Sequence, residues 1–190
     1  LVYSEHLDYW RATELFKHLH ERTPWAVVDI ELVPTHGGSL RVWVERAEKA
    51  IPLGDRVSAS LANILRDEKH RDWSAAWVEL REKMEAERIR LRNMLPGKRV
   101  AIFGAPAKLT TLMYGLGLTD LNVLYVVDDS PLKQGLFTPG TGLEVSHPAR
   151  LLSEPVDAVL VGAWNFSAVI VPRLDKLLKG SANIVVPFRP

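Results

Sequence analysis

Within four residues, the segment "YSEH" sets Tyr3, Glu5 and His6 side by side. A histidine next to a carboxylate can act as a general base. Imidazole titrates near neutrality, and the carboxylate can orient the ring. A tyrosine hydroxyl can polarise a carbonyl. Taken alone, the same residues also read as an ordinary polar surface segment. A second imidazole, His36, sits in "HGG", where plain turn chemistry is the competing reading. His18 and His20 read as helix-surface residues, and His70 has no assigned role. Metal spacings such as HExxH are absent, as are the GxSxG elbow and the Walker loop. No metal site is expected.

The stretch "RVAIFGAPAK", residues 99–108, is a buried strand, a glycine turn and the start of a helix. Strand, glycine and helix in that order are how many proteins grip a phosphate. Gly104-Ala105-Pro106-Ala107 lacks the second and third glycines of GxGxxG, however. A Cβ at Ala105 and the Pro106 ring would crowd a pyrophosphate, and Pro106 has no N–H to offer one. Pro106 suits the first turn of a helix instead. Lys108, in that turn, could meet an anion or the Asp128–Asp129 pair that ends the next strand. That pair stands where a dinucleotide fold keeps its ribose-binding acid. A structural turn and a nucleotide or phosphate contact both stay open.

Behind the second strand, "DDSPLKQGLFTPGTGLEV" is a long polar loop carrying Ser130, Lys133, Gln134, Thr138 and Thr141. Long loops in compact domains are often functional. "AWNF" places Trp164 and Asn165 after the third strand, where Asn165 reads as the cap of the next helix.

The elements that must position these residues fall into two regimes. Residues 11–22 form a short amphipathic helix through Leu15, Phe16 and Leu19. "WAVVDIELV" and "LRVWVER" flank Gly37-Gly38 as the two strands of a β-hairpin. Residues 55–95 read as one long helix whose buried face carries Trp73, Trp77, Leu80, Met84, Leu91 and Leu95. Glu79 and Lys83 lie on its solvated side as an i,i+4 pair. "LPGK" ends that helix. From residue 98 onward, short continuous apolar runs alternate with helices. "RVAIFG", "NVLYVVD", "DAVLVGAW" and "ANIVVPF" are strands, and 106–116 and 167–179 are helices. Such runs suit a parallel sheet covered on both faces. The fold expected is α/β, a Rossmann-like doubly wound, mostly parallel sheet preceded by a β-hairpin and a long connecting helix.

Composition narrows the function classes. A net charge of +1 over 190 residues gives no electrostatic case for nucleic acid or a membrane surface. No apolar run approaches the roughly 18 residues needed to span a bilayer. With no cysteine, disulfides and thiolate zinc sites are excluded, and a cytoplasmic location is expected. The opening "LVYSEHLDYW" has no Met and is apolar and aromatic, which reads equally as a cloned boundary and as a chain cut from inside a larger enzyme.

In order, the blocks "YSEHLDYW", "PTHGGSLRVWV", "FGAPAKLTTLM", "VDDSPLKQG", "TPGTGLEV" and "AWNF" resemble the carboxyl-terminal half of S-adenosylmethionine-dependent sugar C-methyltransferases. The resemblance covers nearly the whole chain. It implies three regions: 1–50 as the tail of the cofactor-binding middle domain, 51–97 as a helical connector, and 98–190 as a Rossmann-like terminal domain. It also implies catalytic roles for His6 as base, Glu5 as its orienter or a sugar-hydroxyl ligand, and Tyr3 as a positioner of the sugar. Substrate contacts are implied for His36, Lys108, Ser130, Lys133 and Asn165. Departures from the family pattern are Phe103 and Leu109 flanking the turn, Tyr114 where an Asn is expected, and Asp129 where an Arg is common.

The implied partners are a nucleotide-linked keto-deoxysugar and a cofactor-binding domain supplied in cis or in trans. S-adenosylmethionine is the cofactor of the complete enzyme. None is expected to bind this chain alone, whose cofactor-binding residues stay unassigned and which is expected to transfer no methyl group by itself. The alternative is a non-catalytic Rossmann-like module that binds a nucleotide or a partner. A further outcome is a homodimer through the hairpin at 25–46, since exposed strand edges seek partners.

Overall fold

In a computed structural model of the chain, residues 10–34, 39–46 and 59–188 are described. Tyr3, Glu5, His6 and His36 lie outside the described residues. Two compact units divide the chain after Trp77.

The first unit holds helix α1 (Ala12–Arg22), strands β1 (Trp25–Val33) and β2 (Ser39–Arg46), and helix α2 (Ala59–His70). The strands pair antiparallel as the expected hairpin, with a bulge between Val27 and Asp29. Ala12, Phe16 and Ile30 form its small core, closed by Leu15, Val27, Leu40, Val42, Ile64 and Leu65. The first turn of α1 has free amides and no capping side chain of its own. The Glu68 carboxylate of α2 fills that role, accepting from Ala12 N at 2.7 Å and Thr13 N at 3.1 Å.

The run expected to be one helix over 55–95 is two helices, α2 and α3 (Trp73–Met94). Asp72 makes the break. Its Oδ1 accepts from Ser74 N and Ala75 N, both at 3.0 Å, which starts a new helix. The aromatic stripe does not line a core along its length either. Trp73 is 38% exposed and Trp77 66%, whereas Leu91 and Leu95 are buried. The Glu79–Lys83 pair forms as expected, at 2.6 Å.

The second unit contains most of α3, then β3 (Val100–Phe103), α4 (Lys108–Gly115), β4 (Val123–Val127), β5 (Val145–Ser146), α5 (Arg150–Ser153), β6 (Ala158–Val161), α6 (Ser167–Leu178) and β7 (Asn183–Val185). The five strands run parallel in the order β5-β4-β3-β6-β7. Successive strand residues point to opposite faces. Val100, Ile102, Val126 and Leu160 therefore pack with Leu109 and Leu112 of α4, with Leu116 just after it, and with Leu91 of α3. Ala101, Phe103, Val127 and Val161 pack with Leu174 and Leu178 of α6 on the other face. This is the doubly wound sheet expected. Strand β5 was hidden in the sequence because it is two residues long, inside a loop rich in Gly and Pro. The chain's end is stapled to α3: Glu87 Oε1 accepts from Phe188 N at 3.1 Å, and Arg90 Nη2 donates to Val186 O at 2.8 Å.

Candidate functional site

The chain winds from β3 outward to β4 and β5, then returns to β6 and β7 on the other side. The order reverses between β3 and β6, and crevices that hold ligands in such sheets open at the carboxyl ends of those two strands. Two glycines end them. Gly104 has φ +92°, a left-handed region that disfavours any side chain. A Cβ on Gly162 would lie 2.5 Å from Gly104 O and 2.9 Å from Ile102 Cγ2. The two strand ends therefore meet backbone to backbone. The signal for Gly162 is local, since "VLVGAW" repeats the strand-then-glycine pattern of "AIFGAP".

The first two amides after β3 are bonded within the protein. Gly104 N donates to Val127 O at 2.7 Å. Ala105 N donates to Asp128 Oδ2 at 2.7 Å. Pro106 has none. Gly104 N and Ala105 N thus hold the turn to the end of β4.

Asp128 is drawn into the same purpose. Besides Ala105 N, its carboxylate accepts from Ser130 N at 2.9 Å and from Lys133 Nζ at 3.2 Å. Its main-chain oxygen takes Gln134 Nε2 at 2.9 Å. Burial pushes the carboxyl's pKa up, but the two backbone amides and the Lys133 ammonium outweigh it and hold the pKa below the ordinary aspartate value. Where a dinucleotide fold offers an acid to ribose, this chain uses the acid to lock the β3 turn to the loop after β4. Asp129 pairs with Arg173 of α6 through both carboxylate oxygens, and the guanidinium stands 5.5 Å over the Phe103 ring. Arg173, 44 residues away in sequence, carried no local signal of this role.

Lys108 does not meet that acidic pair. It is 3% exposed. Its Nζ donates to Asn165 Oδ1 and lies 3.8 Å over the Trp164 ring. Burial pushes its pKa below the usual lysine value. Asn165 thus does not cap α6, as its position in the sequence suggested. It sits in a single 3-10 turn (Trp164–Phe166) just before that helix. Trp164 in turn packs on Phe188 with ring centroids 5.8 Å apart. The four expected substrate residues of this unit therefore form two groups: Lys108 with Asn165 at the switch point, and Ser130 with Lys133 around Asp128.

Elsewhere, a pocket of about 300 Å³ opens beside α4, lined by Met113, Tyr114, Thr119, Leu121, Val123 and Thr141 among others. Among the described residues, no cluster of three or more His, Asp or Glu is placed to hold a metal ion, and no helix is long and apolar enough to cross a membrane.

A family model for the C-methyltransferase C-terminal domain matches residues 34–189. The chain belongs to that family. It is also 26% identical over 194 residues to the C-methyltransferase NovU of Streptomyces niveus, a match covering 98% of this chain and 45% of NovU. The chain thus spans less than half the length of that relative. In this C-methyltransferase C-terminal domain, Gly104 N, Ala105 N and the Asp128 carboxylate at the sheet's carboxyl edge are bonded within the protein. Lys108 and Asn165 are the polar pair seated at its switch point.

Proposed function

We propose that this chain is the carboxyl-terminal portion of an S-adenosylmethionine-dependent C-methyltransferase acting on a nucleotide-linked keto-deoxysugar, and that it supplies the substrate-side wall of the active site. The observation that carries this reading is the match of residues 34–189 to the C-methyltransferase C-terminal domain. The polar pair Lys108–Asn165 at the switch point supports it. In this reading His6 takes the proton from the carbon beside the ketone, and the neighbouring carbonyl spreads the charge as an enolate. Glu5 orients the imidazole or binds a sugar hydroxyl, while Tyr3 and His36 position the ring.

The methyl donor belongs to the complete enzyme, where it supplies an electrophilic methyl group. The residues of the second unit do not fit it. Its ribose would need an outward-facing acid at Asp128, and that carboxylate already binds Ala105 N, Ser130 N and Lys133 Nζ. The cofactor-binding part is supplied by another segment, in cis or in trans, in a cytoplasmic enzyme.

Titration calorimetry of this chain with a thymidine-diphosphate-linked 4-keto-6-deoxyhexose, S-adenosylmethionine and NAD tests the reading. Saturable heat is expected with the sugar nucleotide only. Binding of S-adenosylmethionine or NAD without the sugar nucleotide would overturn it in favour of a nucleotide-binding module. Silence with all three would favour a partner-binding one.

A further inference from the structure

An ammonium group has three donors and no acceptor. Lys108 Nζ is bonded to Asn165, so the amide must turn its oxygen toward the lysine and its NH2 group away. Lys108 is buried, and its head is fixed over the Trp164 ring at 3.8 Å. Trp164 is itself held between the two hydrophobic clusters of the sheet. Asn165 is exposed, and among the described residues none accepts from its Nδ2. The arrangement is therefore a donor pair of set orientation, presented to solvent at the switch point.

Several donors nearby are committed: Gly104 N to Val127 O, and Ala105 N and Lys133 Nζ to Asp128 Oδ2, while Pro106 has no N–H. From this we propose that Lys108 is a positioning residue that aims the Asn165 amide, and that Asn165 Nδ2 is the direct donor to a phosphate oxygen of the sugar nucleotide. The inference rests on the function proposed above and adds to it a division of labour: the lysine orients and the asparagine contacts. A phosphate fits because its oxygens accept, and the charge of the buried Lys108 behind the amide adds attraction.

The test uses the chain with two probes, thymidine diphosphate and its 4-keto-6-deoxyhexose conjugate. Asn165→Asp keeps an oxygen for Lys108 but replaces the outward donors with a negative acceptor. The protein should stay folded, while affinity for both probes falls at least a hundredfold. In the wild type, the Asn165 side-chain amide signals in a nitrogen–proton NMR spectrum should shift on adding either probe. In Lys108→Met those signals should lose their dispersion, with affinity down about tenfold, and Lys108→Arg should restore part of both.

If the wild type binds neither probe, the proposed function fails, and this inference with it. If the wild type binds and Asn165→Asp binds equally well, the inference alone fails. It also fails if the Asn165 amide signals stay still at saturation, or if only the sugar conjugate moves them. Should Lys108→Met not fold, the Asn165→Asp affinity and the wild-type amide signals still decide the matter.

Discussion

Substituting alanine for Gly162 asks whether the switch point is built on backbone contact. The added Cβ would stand 2.5 Å from Gly104 O, 2.9 Å from Ile102 Cγ2 and 3.2 Å from Leu109 Cδ1. Two of these neighbours can yield only a little. The third is main chain whose own N–H is tied to Val127 O, so relief requires parting β3 from β6. Overpacking of this kind costs about 3 kcal/mol. Gly97 is the control, because a Cβ there meets nothing within 4 Å and only its φ of +74° penalises alanine, at about 1 kcal/mol. Native-state hydrogen exchange reads the difference locally. At 1.4 kcal/mol per tenfold, protection of the slowest amides in 100–103 and 158–161 should fall about a hundredfold for Gly162→Ala and about fivefold for Gly97→Ala. Equal losses in the two variants would refute the claim that the strand ends meet backbone to backbone.

Other outcomes follow from individual contacts. Asp128 has a depressed folded pKa, so its stabilisation is complete above the ordinary carboxyl value near 3.8 and is lost as pH falls through the lower folded value. Melting curves from pH 5 to pH 2 should therefore drop more steeply for wild type than for Asp128→Asn, and parallel curves would contradict this. Replacing Glu68 with Ala strips the partner from two α1 amides and should cost the first unit about 1 kcal/mol, visible as faster exchange in α1 with the 100–103 amides unchanged. Tyr125 is fully buried and its hydroxyl donates to Glu154 O at 2.5 Å. Tyr125→Phe should lower stability by about 1 kcal/mol in urea unfolding, the cost of one lost hydrogen bond.

Local chemistry in the sequence carried the parallel sheet and its turn. Runs such as "VAIF" and "AVLV" are apolar at every position because helices cover both faces, and the missing N–H of Pro106 already argued against a phosphate cradle. What failed to show were relations between distant residues. Lys108 and Asn165 are 57 residues apart and Asp129 and Arg173 are 44 apart, so only the strand order brings them together. The helical stripe departs from expectation for a different reason. Periodicity reports which residues share a side, not whether anything packs on it, so Trp77 and Leu91 looked alike although one is exposed and the other buried. The break between α2 and α3 was legible in principle, since Asp72 followed by "WSAA" is a helix start signal.

The central claim is that this terminal domain meets the sugar nucleotide at the carboxyl edge of its sheet and leaves the methyl donor to another segment. Backbone amide NMR of the chain titrated with the thymidine-diphosphate keto-deoxyhexose measures it most directly. Shifts should gather at Ala105, Lys108, Trp164 and Asn165, and S-adenosylmethionine should move none of them. Shifts confined to the pocket of Tyr114, Thr119 and Thr141, or S-adenosylmethionine moving the Ala105–Lys108 turn, would contradict the account.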